Sequence, residues 1–99
     1  MDLDLTQYHV VQNEEKNRFE LVIGDKVAFS EYMNRPSMIV FTHTEVPVGF
    51  EGKGVGSKLA RESLDFARKL GKTVMPLCPF IKAYIQRHPE YQDLVMRGM

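Results

Sequence analysis

The chain lacks most of what marks a protein for export, for membranes or for nucleic acid. It has a single cysteine, Cys78, so no disulfide can close within it. No apolar run approaches the ~20 residues a membrane-spanning helix needs, so no membrane span is expected. The N-terminus, Met1-Asp2-Leu3-Asp4, is acidic with no apolar leader behind it, which makes the cytosol the expected compartment. The 13 basic residues balance 13 acidic ones and no basic block stands out, which argues against a nucleic-acid or anionic-membrane surface. There is no repeat, low-complexity tract or linker. A Walker loop, Gly-x-x-x-x-Gly-Lys-Ser/Thr, is absent, and so is a Gly-x-Gly-x-x-Gly fingerprint closing a first strand.

What is present suffices for one compact unit. The 99 residues, 43% of them hydrophobic, support a two-layer core but no added substrate domain, so a single domain over 1–99 is expected. Val10 to Gln12 and Phe19 to Ile23 read as short strands around a polar turn. Gly24-Asp25 starts a tight turn into a strand from Lys26 to Tyr32, and Asn34-Arg35-Pro36 separates that strand from another over Ser37 to Val46. This is an antiparallel meander of three or four strands. From Gly54 to Leu70 the apolar period changes from two to about 3.6 residues, with Val55, Leu59, Ala60, Leu64, Ala67 and Leu70 on one face. Asp65 precedes Lys69 at the spacing of a favourable helix-surface pair, and Gly71 is a good stop. Thr73 to Leu77 then reads as a strand returning beside the fourth, which makes a βαβ crossover. Helical spacing from Phe80 to Arg87 and a last helix from about Glu90 to Met96 complete an α+β fold.

Glu51-Gly52-Lys53-Gly54-Val55-Gly56 lies where the strand gives way to the long helix. Glycines at alternate positions remove the Cβ atoms that would keep a ligand from the backbone, and the first N–H groups of the helix point outward unpaired. Such a turn attracts anions, phosphates among them.

Set between that strand and helix, the turn resembles motif A of the GCN5-related N-acetyltransferases, Gln/Arg-x-x-Gly-x-Gly/Ala, which binds the pyrophosphate of acetyl-coenzyme A. Gly54 and Gly56 match it. Glu51 departs from it, standing where Gln or Arg is usual, and is expected to face solvent or a neighbouring cation. Thr42-His43-Thr44-Glu45-Val46-Pro47, Pro76-Leu77-Cys78-Pro79-Phe80 and Arg87-His88-Pro89-Glu90-Tyr91 extend the resemblance to small, single-domain acetyltransferase-like proteins of the bacterial YjdJ type. It covers roughly Phe19 to Tyr91 and implies the minimal acyl-coenzyme A N-acyltransferase fold. It also implies acetyl-coenzyme A as cosubstrate, with no metal. The cofactor-side residues it implies are Val46, Val48, Gly52, Lys53, Gly54, Val55, Gly56, Ser57 and Lys58; the lysines equally suit an ordinary helix surface.

Five residues are candidates for chemistry. Cys78 falls at the sheet end where ligands gather in open α/β sheets and ahead of a helix; it is either a nucleophile able to take the acetyl group or a small buried hydrophobe. His43 and Glu45, two apart on a strand, share a face. They suit a general base for an amine or for Cys78, or else a solvated pair at the sheet edge, with Thr42 and Thr44 on the opposite face. The resemblance favours Glu45 as base. It also points to Tyr84, and less directly Tyr91, as the acid that protonates the departing thiolate; otherwise both rings are packing surface. His88 reads as a helix cap that also packs. The expected activity is acetyl transfer to a small-molecule or protein amine. The alternatives are a coenzyme A-binding or interaction module without turnover, or a partner domain in which the glycines only make a turn. Strand edges permit a weak homodimer, and a monomer fits equally.

Overall fold

A computed structural model describes residues 4–95. A short 3₁₀ helix (Leu5–Gln7) leads into β1 (Val11–Asn13), β2 (Arg18–Ile23), β3 (Lys26–Asn34) and β4 (Met38–Glu45). Then come α1 (Val55–Lys69), β5 (Thr73–Pro76), α2 (Pro79–Arg87) and a second 3₁₀ helix (Pro89–Leu94). The five strands form one sheet in sequence order, antiparallel from β1 to β4 and parallel between β4 and β5. This is the expected meander and crossover, with two changes at the C-terminal end. The last element is a 3₁₀ helix rather than an α-helix, and Met96 lies outside the described residues.

The helices cover one face of the sheet. Phe19, Leu21, Ala28, Tyr32 and Phe41 point toward them and meet Leu59, Leu64 and Ala67 of α1 in a shared core. The Phe19 ring, in contact distance of Tyr32, Phe41 and Phe66, is the hub. The left-handed Gly71 ends α1 by letting its own N–H reach the Arg68 carbonyl while the Lys72 N–H reaches Ala67, the paired bonds of a Schellman stop. Ser63 is the exception within the core. Its hydroxyl is fully buried and has no partner among the described residues. Ser63→Ala is expected to stabilise the fold by about 1 kcal/mol, because it removes an unpaid desolvation and improves helix propensity; the urea midpoint would read this, and a lower midpoint would refute it.

Long-range bonds fasten the segment before β1 and the second 3₁₀ helix to α1. On the C-terminal side, the Tyr91 hydroxyl donates to Asp65 at 2.8 Å, and Arg68 donates to both oxygens of Asp93 at 2.8 and 2.9 Å and to the Glu90 carbonyl. Asp65 therefore serves Tyr91 in place of the helix-surface pair with Lys69. On the N-terminal side, the Val10 N–H donates to Glu62 at 2.9 Å and the Lys58 ammonium sits 3.1 Å from the other oxygen of the same carboxylate.

Burial by itself would push the Glu62 carboxyl up, yet the Val10 N–H and the Lys58 ammonium together hold it below the usual carboxylate range. A lowered folded-state value means the stabilisation is complete above the unfolded carboxylate range and is lost as pH falls through the folded one. Glu62→Gln is expected to cost about 1–2 kcal/mol at neutral pH. Its deficit should shrink on acidification below the ordinary carboxylate range, in parallel denaturation series. A deficit constant with pH would rule this out.

One irregularity in β4 positions everything that follows. Its register against β3 slips between Glu31 and Tyr32: Tyr32 pairs with Phe41 but Glu31 pairs with His43, so Thr42 is an extra residue. Phe41 and Thr44 consequently share the helix-covered face, and His43 and Glu45 project from the other.

Candidate functional site

β4 and β5 pair only from Met38↔Thr73 to Phe41↔Pro76. β5 then turns away, with the N–H groups of Leu77 and Cys78 both closing on the Phe41 carbonyl. β4 continues to Glu45, so its last residues present an unpaired backbone edge. Beside that edge opens a cleft of about 360 Å³ at the N-terminal end of α1. Thr44 and Val46 form its sheet wall, Phe50 and Phe80 are its aromatic sides, and Gly52, Gly54, Gly56 and Ser57 are its floor. A hollow of about 430 Å³ beyond β5 is larger, but proline and aliphatic side chains make most of its wall.

The floor is built for backbone contact. Gly52 and Gly54 take φ of 74° and 83°, values that favour glycine, and Gly54 caps α1 with no side-chain bond to the first turn. The opening N–H groups of Val55, Gly56 and Ser57 thus lack the capping oxygen that most helices supply. Gly56 has ordinary helical geometry and is needed for a different reason. A Cβ there would lie 2.7 Å from the Phe80 ring and 3.4 Å from Val46. Val55 turns its side chain into the core and anchors the turn from beneath.

Several sequence candidates lie away from the cleft. The Val48 side chain is almost wholly exposed, and neither it nor Lys53 contributes to the cleft wall. Lys58 is buried, with its ammonium committed to Glu62. Glu51, expected to face solvent or a neighbouring cation, is exposed and borders the cleft.

Among the chemical candidates, Cys78 is 3% exposed and its thiol donates to the Thr44 hydroxyl at 3.2 Å, a neutral partner and not a base. His43 and Glu45 are 3.5 Å apart on the helix-free face, where His43 lies near the Phe29 ring and the Arg18 guanidinium covers that ring at 4.4 Å. The sheet therefore separates this pair from Cys78, and neither residue can serve as its base. Tyr84, one helical turn beyond Phe80, is buried and stacked on His88 at 3.8 Å, and it is not part of the cleft wall. Burial pushes its phenol up, assisted by the Glu90 and Asp65 charges and opposed by Arg61. The Tyr91 phenol is raised further, by burial and by its bond to Asp65. The His88 ring nitrogen meets the Tyr84 carbonyl at 2.8 Å, which makes it a helix-end residue that also packs.

Thr44, Phe50 and Phe80 are cleft residues that the sequence did not single out. A βα turn next to aromatic residues was the available signal for Phe50 and Phe80. For Thr44 the strand alternation gave the right face, opposite His43 and Glu45, but no signal that this face borders the cleft.

No group of three or more His, Cys, Asp or Glu side chains suited to a metal occurs among the described residues. No described helix is long and apolar enough to cross a membrane.

Comparison with known proteins agrees with this geometry. The profile of a family described as GCN5-related N-acetyl-transferase matches residues 18–94. Protein NATD1 of Xenopus tropicalis is 31% identical over 68 residues, 69% of this chain and 62% of its own length. Protein NATD1 of Homo sapiens is 31% identical over the same number of residues, 59% of its length. The chain thus spans about three fifths of these curated relatives. A solution structure of a GCN5-like N-acetyltransferase candidate from Staphylococcus aureus superposes with a TM-score of 0.69 at 26% identity, covering 89% of this chain and 87% of its own.

Proposed function

The chain belongs to the GCN5-related N-acetyltransferase family, and on that premise we propose that it binds acetyl-coenzyme A and transfers the acetyl group to an amine. The observation that carries this reading is the uncapped, glycine-floored N-terminus of α1 lying beside the unpaired edge of β4. The N–H groups of Val55, Gly56 and Ser57 and the Ser57 hydroxyl would hold the pyrophosphate. The free edge of β4 toward Val46 would meet the amides of the pantetheine arm as a strand meets its neighbour, with Phe50 and Phe80 flanking its methylenes. Phosphate recognition then rests on backbone dipoles, since Lys58 is already paired with Glu62.

When bound, the thioester supplies a carbonyl carbon that an amine nitrogen attacks while the carbon–sulfur bond breaks and the sulfur leaves as thiolate. The residues' own work is to set the angle and to take the proton. Because β5 leaves this edge of β4 unpaired, the edge is open to both faces of the sheet. Glu45, with His43 beside it, receives from the helix-free face the proton the amine must lose. Cys78 backs the acyl end from the helix side, as a contact or as a transient carrier. Tyr84 keeps its proton at neutral pH but stands outside the cleft, and is assigned to packing.

A second reading, coenzyme A binding without turnover, draws on Glu51, whose carboxylate borders a site for an anion. Calorimetric titration of coenzyme A, with intact-mass analysis after exposure to acetyl-coenzyme A, separates the possibilities. Binding together with acetyl loss that depends on added amine is the expected result. A mass adduct on Cys78 would make it a carrier, binding without amine-dependent loss would leave the second reading, and absence of binding would remove both.

A further inference from the structure

Behind the cleft runs a chain of three small side chains, Ser30, Thr44 and Cys78, of which Thr44 lines the wall, and their hydrogens can be assigned by counting. A hydroxyl carries one hydrogen and two lone pairs, and a thiol carries one hydrogen. The Cys78 thiol donates to Thr44 Oγ at 3.2 Å. Ser30 Oγ lies 3.1 Å from the same oxygen, a spacing that either hydroxyl can bridge. Ser30 is fully buried, and Thr44 is its one side-chain partner among the described residues. Were Thr44 the donor, the Ser30 hydrogen would be stranded in the core, at a cost of about 1–3 kcal/mol. Ser30 therefore donates. Both lone pairs of Thr44 are then filled from behind, and its own hydrogen is left for the side that faces the cleft.

Resting on the cofactor reading above, we propose that the Thr44 hydroxyl is a preset hydrogen-bond donor to the acyl carbonyl oxygen of the bound thioester, aligned by Ser30 and Cys78. Its place fits that role. The pyrophosphate end is fixed at Gly54 to Ser57, the walls between are the apolar Val46, Phe50 and Phe80, and Thr44 is the polar side chain on the sheet side of that wall. A donor whose direction is fixed before the ligand arrives, and whose lone pairs cannot turn toward the carbonyl, needs no reorganisation as charge builds on the oxygen. Cys78 is then a positioning residue whose single hydrogen is already committed. The bulge at Thr42 is what brings this hydroxyl to the helix side, opposite Glu45.

The test compares the parent with Thr44→Val and Thr44→Ser by calorimetry with coenzyme A and acetyl-coenzyme A, and by isotope-edited infrared spectroscopy of carbonyl-labelled acetyl-coenzyme A. Thr44→Val should keep its affinity for coenzyme A but lose about fivefold to tenfold for acetyl-coenzyme A, the equivalent of one hydrogen bond. Its bound carbonyl band should move to higher frequency, and Thr44→Ser should restore the parent band. Thr44→Ala replaces the valine variant should that fail to fold. A carbonyl band that is the same in parent and Thr44→Val, with coenzyme A still bound, would overturn the donor role and leave the cofactor reading standing. Failure of the parent itself to bind coenzyme A would remove the cofactor reading, and this role with it.

Discussion

Gly56→Glu is expected to lose coenzyme A affinity by at least about a hundredfold, roughly 2.7 kcal/mol, while the domain stays folded. Gly56 has no positive φ to protect, so a side chain there carries no backbone strain and even gains helix propensity of about 1 kcal/mol for alanine. The obstacle is spatial. Any Cβ meets the Phe80 ring at 2.7 Å, but that ring is 38% exposed and free to swing outward. Folding therefore survives, and the added atoms come to occupy the surface where the first N–H groups of α1 are bare. Glutamate adds a negative charge at the same point, where Coulomb repulsion of a pyrophosphate is strongest. Gly56→Ala with and without Phe80→Ala divides the effect. Recovery of binding in the double variant would assign the loss to the displaced ring, and continued loss would assign it to the methyl group on the cradle. Full affinity in folded Gly56→Glu, measured by calorimetry beside a circular dichroism spectrum, would remove the cradle from the α1 terminus.

The elements that were legible in the sequence are those set by local rules. The change of period at Gly54, the stop at Gly71 and the proline after Cys78 each mark a boundary through their own backbone chemistry, and there α1 begins, α1 ends and α2 begins. The bulge at Thr42 has no such mark. It inserts one β-branched residue among others, with no glycine or proline, and it is imposed by pairing with β3. Strict alternation correctly joined His43 to Glu45 and set Thr44 opposite them; that Thr44's face is the helix-covered one, shared with Phe41, depends on the bulge. Lys58 is a different case. Glu62 stands four residues on, a spacing that signals a helix pair, but that the carboxylate also takes the Val10 N–H depends on how the N-terminal segment docks. The Tyr91–Asp65 and Arg68–Asp93 bonds, and the seating of Phe80 on Gly56, likewise depend on how α2 and the last turn lie against α1, which no local pattern encodes. Leu5, whose methyl comes to 3.5 Å from a Cβ at Gly54, shows the same for the first 3₁₀ turn.

Glu45→Gln is expected to lower kcat/KM for amine acetylation by about 10²–10³, the usual worth of a positioned base, and to leave coenzyme A affinity unchanged. The reason lies in the two faces of β4. Thr44 and Cys78 occupy the helix side, so an amine has to come from the opposite side, past the end of the strand that β5 leaves unpaired. Glu45 is the last residue of β4 and points to that side, 60% exposed, with His43 3.5 Å away. Glutamine retains the shape of the side chain and one acceptor oxygen but cannot accept a proton, so a loss in turnover without a loss in binding isolates proton transfer from packing. Whether the two side chains act as one unit is then a matter of additivity. If His43 only orients Glu45, His43→Ala should have a smaller effect alone and almost none added to Glu45→Gln. Independent, multiplying losses would make His43 a second proton acceptor. Turnover at the parent rate in Glu45→Gln would exclude the carboxylate as base and place proton removal in bulk water.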